Sequence, residues 1–192
     1  MMLRRIIFVL LLIASPAAFA DALDISLNNN AAAFNYSTSV GALIQGNSDV
    51  HVGVLYNESM NTLAEGGLLV KGDEGDSSGI TLSVGAKLLV GMIKNYSTQT
   101  ENVSAIVIGG ELAYTFPAVK QLDAALTYFA GPKITSFGDA DRANQWGLRL
   151  DYEVGAGTKI YVEYREVNFG ITSTGQTATL DSGTYVGVKL TF

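Results

Sequence analysis

The sequence contains no cysteine, which excludes both a disulfide framework and a thiolate metal site. It has one histidine, His51, so the paired histidines of a common zinc motif are absent as well. It carries neither a phosphate-binding glycine loop nor a dinucleotide fingerprint. We therefore expect no enzyme: no catalytic residue, no cofactor and no metal site.

Basic residues are also few, 12 against 18 acidic ones, and the formal net charge is −6. Phosphates would repel such a chain, so we expect no nucleic-acid partner. After residue 20 no apolar run approaches 18 residues, and no transmembrane helix is predicted. Hydrophobic residues nevertheless make up 48% of the chain. High apolar content without long apolar runs is typical of alternating membrane strands.

The first twenty residues have the layout of a secretory signal peptide. Arg4 and Arg5 precede an apolar stretch over Ile6–Ile13, and Ala18-Phe19-Ala20 provides a small-residue cleavage site before Asp21. The stretch is too short to cross a bilayer as a helix, although an uncleaved anchor is the alternative. We expect residues 1–20 to be removed, leaving residues 21–192 as one domain with a net charge of −8 after loss of the two arginines.

Alternation of apolar and polar residues after position 21 predicts ten strands separated by turn-rich segments. They cover residues 22–28, 31–38, 49–57, 62–71, 79–92, 103–116, 121–133, 142–154, 157–169 and 179–192. Their regular spacing indicates a meander of antiparallel hairpins. Many reach the length of about 9–11 residues that a tilted membrane strand needs.

Aromatic residues support a membrane barrel over a soluble sandwich, which would also alternate. Tyr56, Tyr114, Phe116 and Tyr152 lie near strand ends on the apolar face, at positions of an aromatic girdle. The prediction is an all-β, antiparallel transmembrane β-barrel. Ten strands are preferred, and eight are the alternative if the hairpin over residues 22–38 lies outside the wall.

The last strand ends at the C-terminus in an aromatic residue. Its apolar face consists of Val186, Val188, Leu190 and Phe192. This pattern resembles the signal that the assembly machinery of the Gram-negative outer membrane reads on its substrates. We therefore expect an outer-membrane location, transient contact with that machinery, and a monomer surrounded by membrane lipid and lipopolysaccharide. An even strand number would place both termini in the periplasm.

Four segments carry a family resemblance: 21–29, 136–142, 146–152 and 185–192. The second, Ser-Phe-Gly-Asp-Ala-Asp-Arg, is the most specific, whereas the last is common to outer-membrane barrels. With them the chain resembles the YfaZ family of outer-membrane proteins over essentially its whole mature length. The resemblance implies location and fold, and it supplies no activity or catalytic residue.

If the apolar faces meet lipid, the opposite faces point into the lumen. Thirteen charges are expected there: Asp24, Glu65, Lys71, Lys87, Glu111, Asp123, Arg149, Asp151, Glu153, Lys159, Glu163, Arg165 and Lys189. In so narrow a barrel they should pair, because unpaired buried charge is costly. Strand adjacency suggests Arg149 with Glu163 or Glu111, and Lys189 with Asp24.

Two interpretations of this lumen follow. The favoured one is a structural, envelope-maintaining barrel whose lumen is plugged by ion pairs. The alternative is a narrow, porin-like channel for ions or small solutes, lined by the same charges. A ligand-binding or adhesive barrel is a third interpretation, which the short outer loops disfavour. Asp139 and Asp141 could bridge lipopolysaccharide through a divalent cation, but an acidic turn is the simpler interpretation.

Overall fold

The computed structural model describes residues 21–41, 47–72, 79–94 and 100–192. The predicted signal peptide, residues 1–20, lies outside the described residues and stays a prediction. Eleven strands are assigned in the described part of the chain. They are β1 (Asp21–Leu27), β2 (Ala31–Ser39), β3 (Asn47–Asn57), β4 (Thr62–Lys71), β5 (Ile80–Lys94), β6 (Thr100–Thr115), β7 (Leu122–Gly131), β8 (Ser136–Gly138), β9 (Ala140–Gly155), β10 (Thr158–Ile171) and β11 (Thr177–Thr191).

Antiparallel pairing runs around a closed ring. Each long strand pairs with its neighbours in the chain, and β1 pairs with β11 to close the barrel. The backbones of Asp21 and Phe192 exchange two hydrogen bonds, of 3.0 and 2.9 Å, so both termini lie at one end. We name this the terminal end and the other the distal end. The ring has ten strands, and the eight-strand alternative is wrong because β1 and β2 belong to the wall.

The seventh wall strand is interrupted, which corrects the predicted strand over residues 121–133. β7 ends at Gly131, and a 3-10 turn over Lys133–Thr135 follows Pro132. β8 then resumes the pairing with β6, with Ser136 opposite Ala105. Proline has no N–H to donate to the ladder, so the strand leaves the wall at this point.

Strands β5 and β6 extend further than predicted, to Lys94 and back to Thr100, and Lys94 is the Cα partner of Thr100. Backbone pairing between the two strands continues at residues where apolar and polar side chains no longer alternate. The loop between them is correspondingly shorter than predicted.

The outer surface of the barrel is apolar. Leu148 and Leu150 on β9 are 55% and 48% exposed, whereas the charged Asp151 beside them is buried. Neighbouring strands show the same pattern: their outward valines and leucines are exposed, whereas their inward polar residues are buried or half-buried. A closed sheet leaves no unpaired edge, so this surface is suited to lipid. No helix in the described ranges is long and apolar enough to cross a membrane.

The turn between β9 and β10 provides a matched pair of glycines for a stability test. Gly157 has a φ of +75°, in the left-handed region, and Gly155 does not. We expect Gly157→Ala to lower the free energy of unfolding by about 1–2 kcal/mol. Gly155→Ala adds the same methyl group where no atom lies within 4 Å, so its effect should stay within about 0.5 kcal/mol. Urea titration of the folded barrel compares the two, and equal losses would contradict this account of the turn.

Candidate functional site in the barrel lumen

Apolar side chains cluster in the distal half of the lumen. Seven of the larger ones are at most 1% exposed, and we name this set the apolar plug: Leu89, Val103, Val107, Phe129, Val167, Phe169 and Leu180. They come from five strands and form one contiguous cluster with smaller neighbours. At the distal edge of the plug, the side-chain amides of Asn57 and Asn61 both donate to the backbone carbonyl oxygen of Leu180, at 2.9 and 3.0 Å.

This plug was not predicted, although the sequence carries a signal for it. The segments 88–93 and 103–108 are apolar at nearly every position, without alternation. Near-continuous apolar runs are typical of strands buried on both faces. In this barrel, one face of each of these two segments lies on the outer surface and the other face contributes to the plug.

The terminal half of the lumen encloses a polar cavity of about 250 Å³, which we name the cup. Its lining includes ten charged side chains, five acidic and five basic: Asp24, Asp49, Glu65, Glu111, Glu163, Lys71, Lys87, Arg149, Arg165 and Lys189. His51 also lines it, and Phe129 of the plug borders it. The cup therefore has no net formal charge when His51 is neutral, and the plug covers its distal side.

A three-residue bridge crosses the lumen where cup and plug meet. The Lys87 ammonium lies 3.9 Å from the Glu65 carboxylate and donates to the Gln145 side-chain oxygen at 3.3 Å. Gln145 in turn donates to Glu65 at 3.1 Å. The ammonium also lies 4.5 Å from the centre of the Phe129 ring. The bridge joins β4, β5 and β9. It gives the buried Lys87 ammonium polar partners beside the apolar side chains of the plug.

Arg149 forms the centre of a second cluster. Its guanidinium contacts Asp24 and Asp151, each at 2.7 Å, and lies 3.4 Å above the ring of Tyr161. The Tyr161 hydroxyl donates to Asp24. The predicted pairing of Arg149 with Glu163 or Glu111 is wrong. Lys189 is the backbone partner of Asp24 but forms no ion pair with it in the described structure, because Arg149 occupies that carboxylate.

Three further ion pairs lie along the inner face of the barrel. Arg165 contacts Asp181 at 3.4 Å and lies over the Tyr185 ring, while the Tyr185 hydroxyl donates to Asp181 at 2.7 Å. Near the terminal end, Lys71 pairs with Asp49 and Lys159 pairs with Asp123, each at 2.5 Å. Asp49 and Asp181 were missed from the sequence, although each shares the alternation parity of inward residues on its own strand.

All thirteen predicted lumen charges are buried or half-buried. Nine take part in ion pairs: Asp24, Glu65, Lys71, Lys87, Asp123, Arg149, Asp151, Lys159 and Arg165. The other four, Glu111, Glu153, Glu163 and Lys189, have no ion pair with any described residue. At the C-terminus, Val186, Val188, Leu190 and Phe192 lie exposed on the outer face, where β11 closes the ring.

Outside the lumen, Asp139 acts within its own loop. Its carboxylate accepts a hydrogen bond from the backbone N–H of Asn102 at 2.8 Å, which ties the segment after β8 to β6. Across the described ranges, no group of three or more histidine, aspartate or glutamate side chains is arranged to hold a metal ion. The hydrogen bond to Asn102 gives Asp139 a structural role in this loop.

Comparisons with known proteins agree with the family resemblance. A family model described as YfaZ precursor matches residues 2–192. No curated protein matches the chain. Among solved structures, the KdgM porin is 13% identical, with a TM-score of 0.45 over 90% of this chain and 99% of that one. The outer-membrane channel DcaP of Acinetobacter baumannii is also 13% identical, with a TM-score of 0.43 over 88% of this chain and 54% of that one.

Proposed function

The chain belongs to the YfaZ family and is an outer-membrane β-barrel, and we propose that it has a structural, envelope-maintaining role with a lumen that does not conduct. The apolar plug is the observation that carries this proposal. Seven side chains with at most 1% exposure pack together in the distal half of a ten-stranded barrel. An ion crossing the plug would lose hydration against these apolar side chains.

The ion-pair network supports the same role. Arg149, Lys87 and Arg165 each join side chains from different strands, so the network ties the wall together across the lumen. The sequence predicted a plug of charges, whereas here the charges line the cup and apolar side chains cluster in the distal half. In this proposal the barrel is a monomer in lipid and lipopolysaccharide, delivered by the assembly machinery, and performs no catalysis.

A narrow channel is the second candidate, and the charged cup is the observation that favours it. Balanced acidic and basic side chains around a polar cavity are suitable for passing small hydrated solutes. This function requires the plug to move aside, since the cup alone spans only the terminal half of the lumen. The two candidates therefore differ in the state of the plug.

Single-channel recording in a planar bilayer tests the proposal, with folding verified beforehand. We expect the refolded chain to give no steady openings. The double variant Phe129→Ala/Phe169→Ala should conduct, because it removes the two largest plug side chains. The control Leu126→Ala/Tyr128→Ala truncates outward neighbours on β7 and should stay silent, since both side chains face away from the lumen. Steady openings of the unmodified chain that change on Arg149→Gln would establish the channel instead.

A further inference from the structure

The backbone pairing of the barrel wall has a gap beside β11. Leu27 opposite Val186 is the most distal pair between β1 and β11. From Tyr185 back to Thr177, β11 continues towards the distal end, and in the described ranges it pairs there with β10 alone. One edge of the distal part of β11 therefore has no neighbouring strand.

Two residues direct their backbone groups to this open edge. Asp21 and Phe192 exchange two hydrogen bonds across the seam, and alternate residues of a strand direct their N–H and C=O groups to the same side. The backbone groups of Thr184 and Ser182 therefore point away from β10, where no described residue forms a hydrogen bond with them. Further along this edge, the carbonyl oxygen of Leu180 already accepts the two side-chain amides described above. The free edge is short, so an added peptide strand would gain few backbone hydrogen bonds.

A groove of about 560 Å³ opens along this edge, and we name it the seam groove. It is lined by the exposed Ser182 and Thr184 of β11, by the turn over residues 28–30, and by the outward, exposed side chains of Leu27 and Val186. The volume lies within the range of small-molecule sites. The free backbone groups of β11 therefore border an open space that is large enough for a ligand.

The seam groove lies where the apolar band of the outer surface ends. Along the outward face of β11, the apolar side chains stop at Val186, and the polar Thr184 and Ser182 follow towards the distal end. The Ser182 hydroxyl lies 3.1 Å from the Tyr164 hydroxyl, and the Tyr164 ring packs against Trp146 with 5.0 Å between the ring centres. Outward aromatic residues mark the headgroup layer around a membrane barrel. The groove is therefore at the depth of lipid headgroups.

The lining of the seam groove suits an uncharged ligand that is rich in hydroxyl groups. No described residue that lines it is charged, so a phosphate or carboxylate would find no counter-charge there. Its polar groups are backbone N–H and C=O groups, hydroxyls and side-chain amides, which provide donors and acceptors together. The Asn28 side-chain oxygen accepts from the backbone N–H groups of Asn30 and Ala31, so this amide offers the groove only its donor. Sugar hydroxyls both donate and accept hydrogen bonds, and they match this mixture.

We propose that the seam groove binds the sugar headgroup of an outer-leaflet glycolipid. The sugar hydroxyls pair with the free backbone groups of Ser182 and Thr184, and the acyl chain lies against Leu27 and Val186. An even strand number puts both termini in the periplasm, and with them the distal end at the outer leaflet. An open sheet edge beside lipid needs partners for its backbone groups, and the sugar supplies them. The site adds a lipid class to the proposed envelope role but rests on the outer wall alone, so a conducting lumen would leave it intact.

The backbone amide signals of Ser182 and Thr184 give a direct NMR readout. The refolded barrel is held in dodecylphosphocholine micelles, whose headgroup carries no sugar, and the probe is n-octyl-β-D-glucoside. We expect a saturable shift of both signals. Octyl tetraoxyethylene keeps the alkyl chain without the sugar, and methyl β-D-glucoside keeps the sugar without the chain. Each should bind at least about tenfold more weakly, because one loses the sugar hydrogen bonds and the other the buried chain.

Substitutions locate the contact. Asn29→Ala removes an exposed side-chain amide that lines the groove, and Thr184→Val removes a hydroxyl but keeps the branched shape. Each should weaken octyl glucoside binding about three- to tenfold, as for the loss of one hydrogen bond. Thr172→Val is the matched control, since Thr172 is exposed in the turn between β10 and β11 and does not line the groove, and it should bind as the unmodified chain does. Heat-modifiable gel mobility confirms that each variant is folded.

Three results would overturn the proposal. One is a folded chain whose Ser182 and Thr184 signals respond to octyl glucoside no more than to octyl tetraoxyethylene. Another is an equal response to methyl glucoside, which would assign the groove to a free sugar instead of a glycolipid. The third is a set of amide-to-amide contacts between two chains at Ser182 in the absence of any glycoside, which would assign the edge to strand pairing between barrels.

Discussion

Leu148→Arg or Leu150→Arg on β9 should lower the free energy of unfolding by about 2–4 kcal/mol, provided that each site lies near the middle of the membrane. Both side chains are roughly half exposed on the outer face, midway along a strand with Tyr152 near one end and Trp146 towards the other. Arginine there would carry a charge into hydrocarbon without a partner. Urea titration of the barrel folded in lipid vesicles measures the loss.

Ile134→Arg is the matched control for these substitutions. Ile134 is 87% exposed, but it lies in the 3-10 turn after Pro132, outside the strands of the wall. The same change of residue type should therefore alter stability by no more than about 0.5 kcal/mol. Unchanged stability in both leucine variants would show that the two faces of β9 are assigned the wrong way round.

Arg149→Met should destabilise the barrel by about 3 kcal/mol, because it leaves two carboxylates partly buried without their cation. The side chains of Arg149, Asp24 and Asp151 are 21%, 12% and 10% exposed, so the cluster is only lightly screened. This expected loss of stability lies at the low end of the range for breaking a buried ion pair, because the cluster borders a polar cavity. The measurement is again unfolding by urea in vesicles.

A double-mutant cycle separates this interaction from general effects of substitution. In the Arg149→Met background, Asp24→Asn removes one of the unpaired charges, so the double variant should recover part of the loss, with a coupling of about 0.5–3 kcal/mol. Glu153→Gln on the same strand has no described ion-pair partner and should be nearly neutral. Full stability of Arg149→Met would mean that the cluster contributes nothing to the fold.

In the barrel interior, the sequence predicts which side chains point inward but not which of them pair. Alternation identified the inward face of each strand, and with it thirteen side chains that prove buried or half-buried. Strand adjacency predicts Glu163 or Glu111 as the partner of Arg149, whereas its carboxylate partners are Asp24 and Asp151. Its partner Asp24 lies on β1, three strands away around the ring, so the two meet across the lumen. A long arginine side chain reaches across a narrow tube as readily as along its wall.

The sequence by itself determined the architecture, because each feature involved is local. A period of two fixes the faces of a strand, turn residues fix its ends, and the apolar C-terminal strand indicates the membrane. The break at Pro132 was not predicted, although the missing N–H group of proline is a local signal for it. Only the tertiary structure decided how the lumen is divided, since side chains that lie far apart in the chain meet there. The apolar plug, the cup and the seam groove exist only once the ring has closed and its strands have set their register.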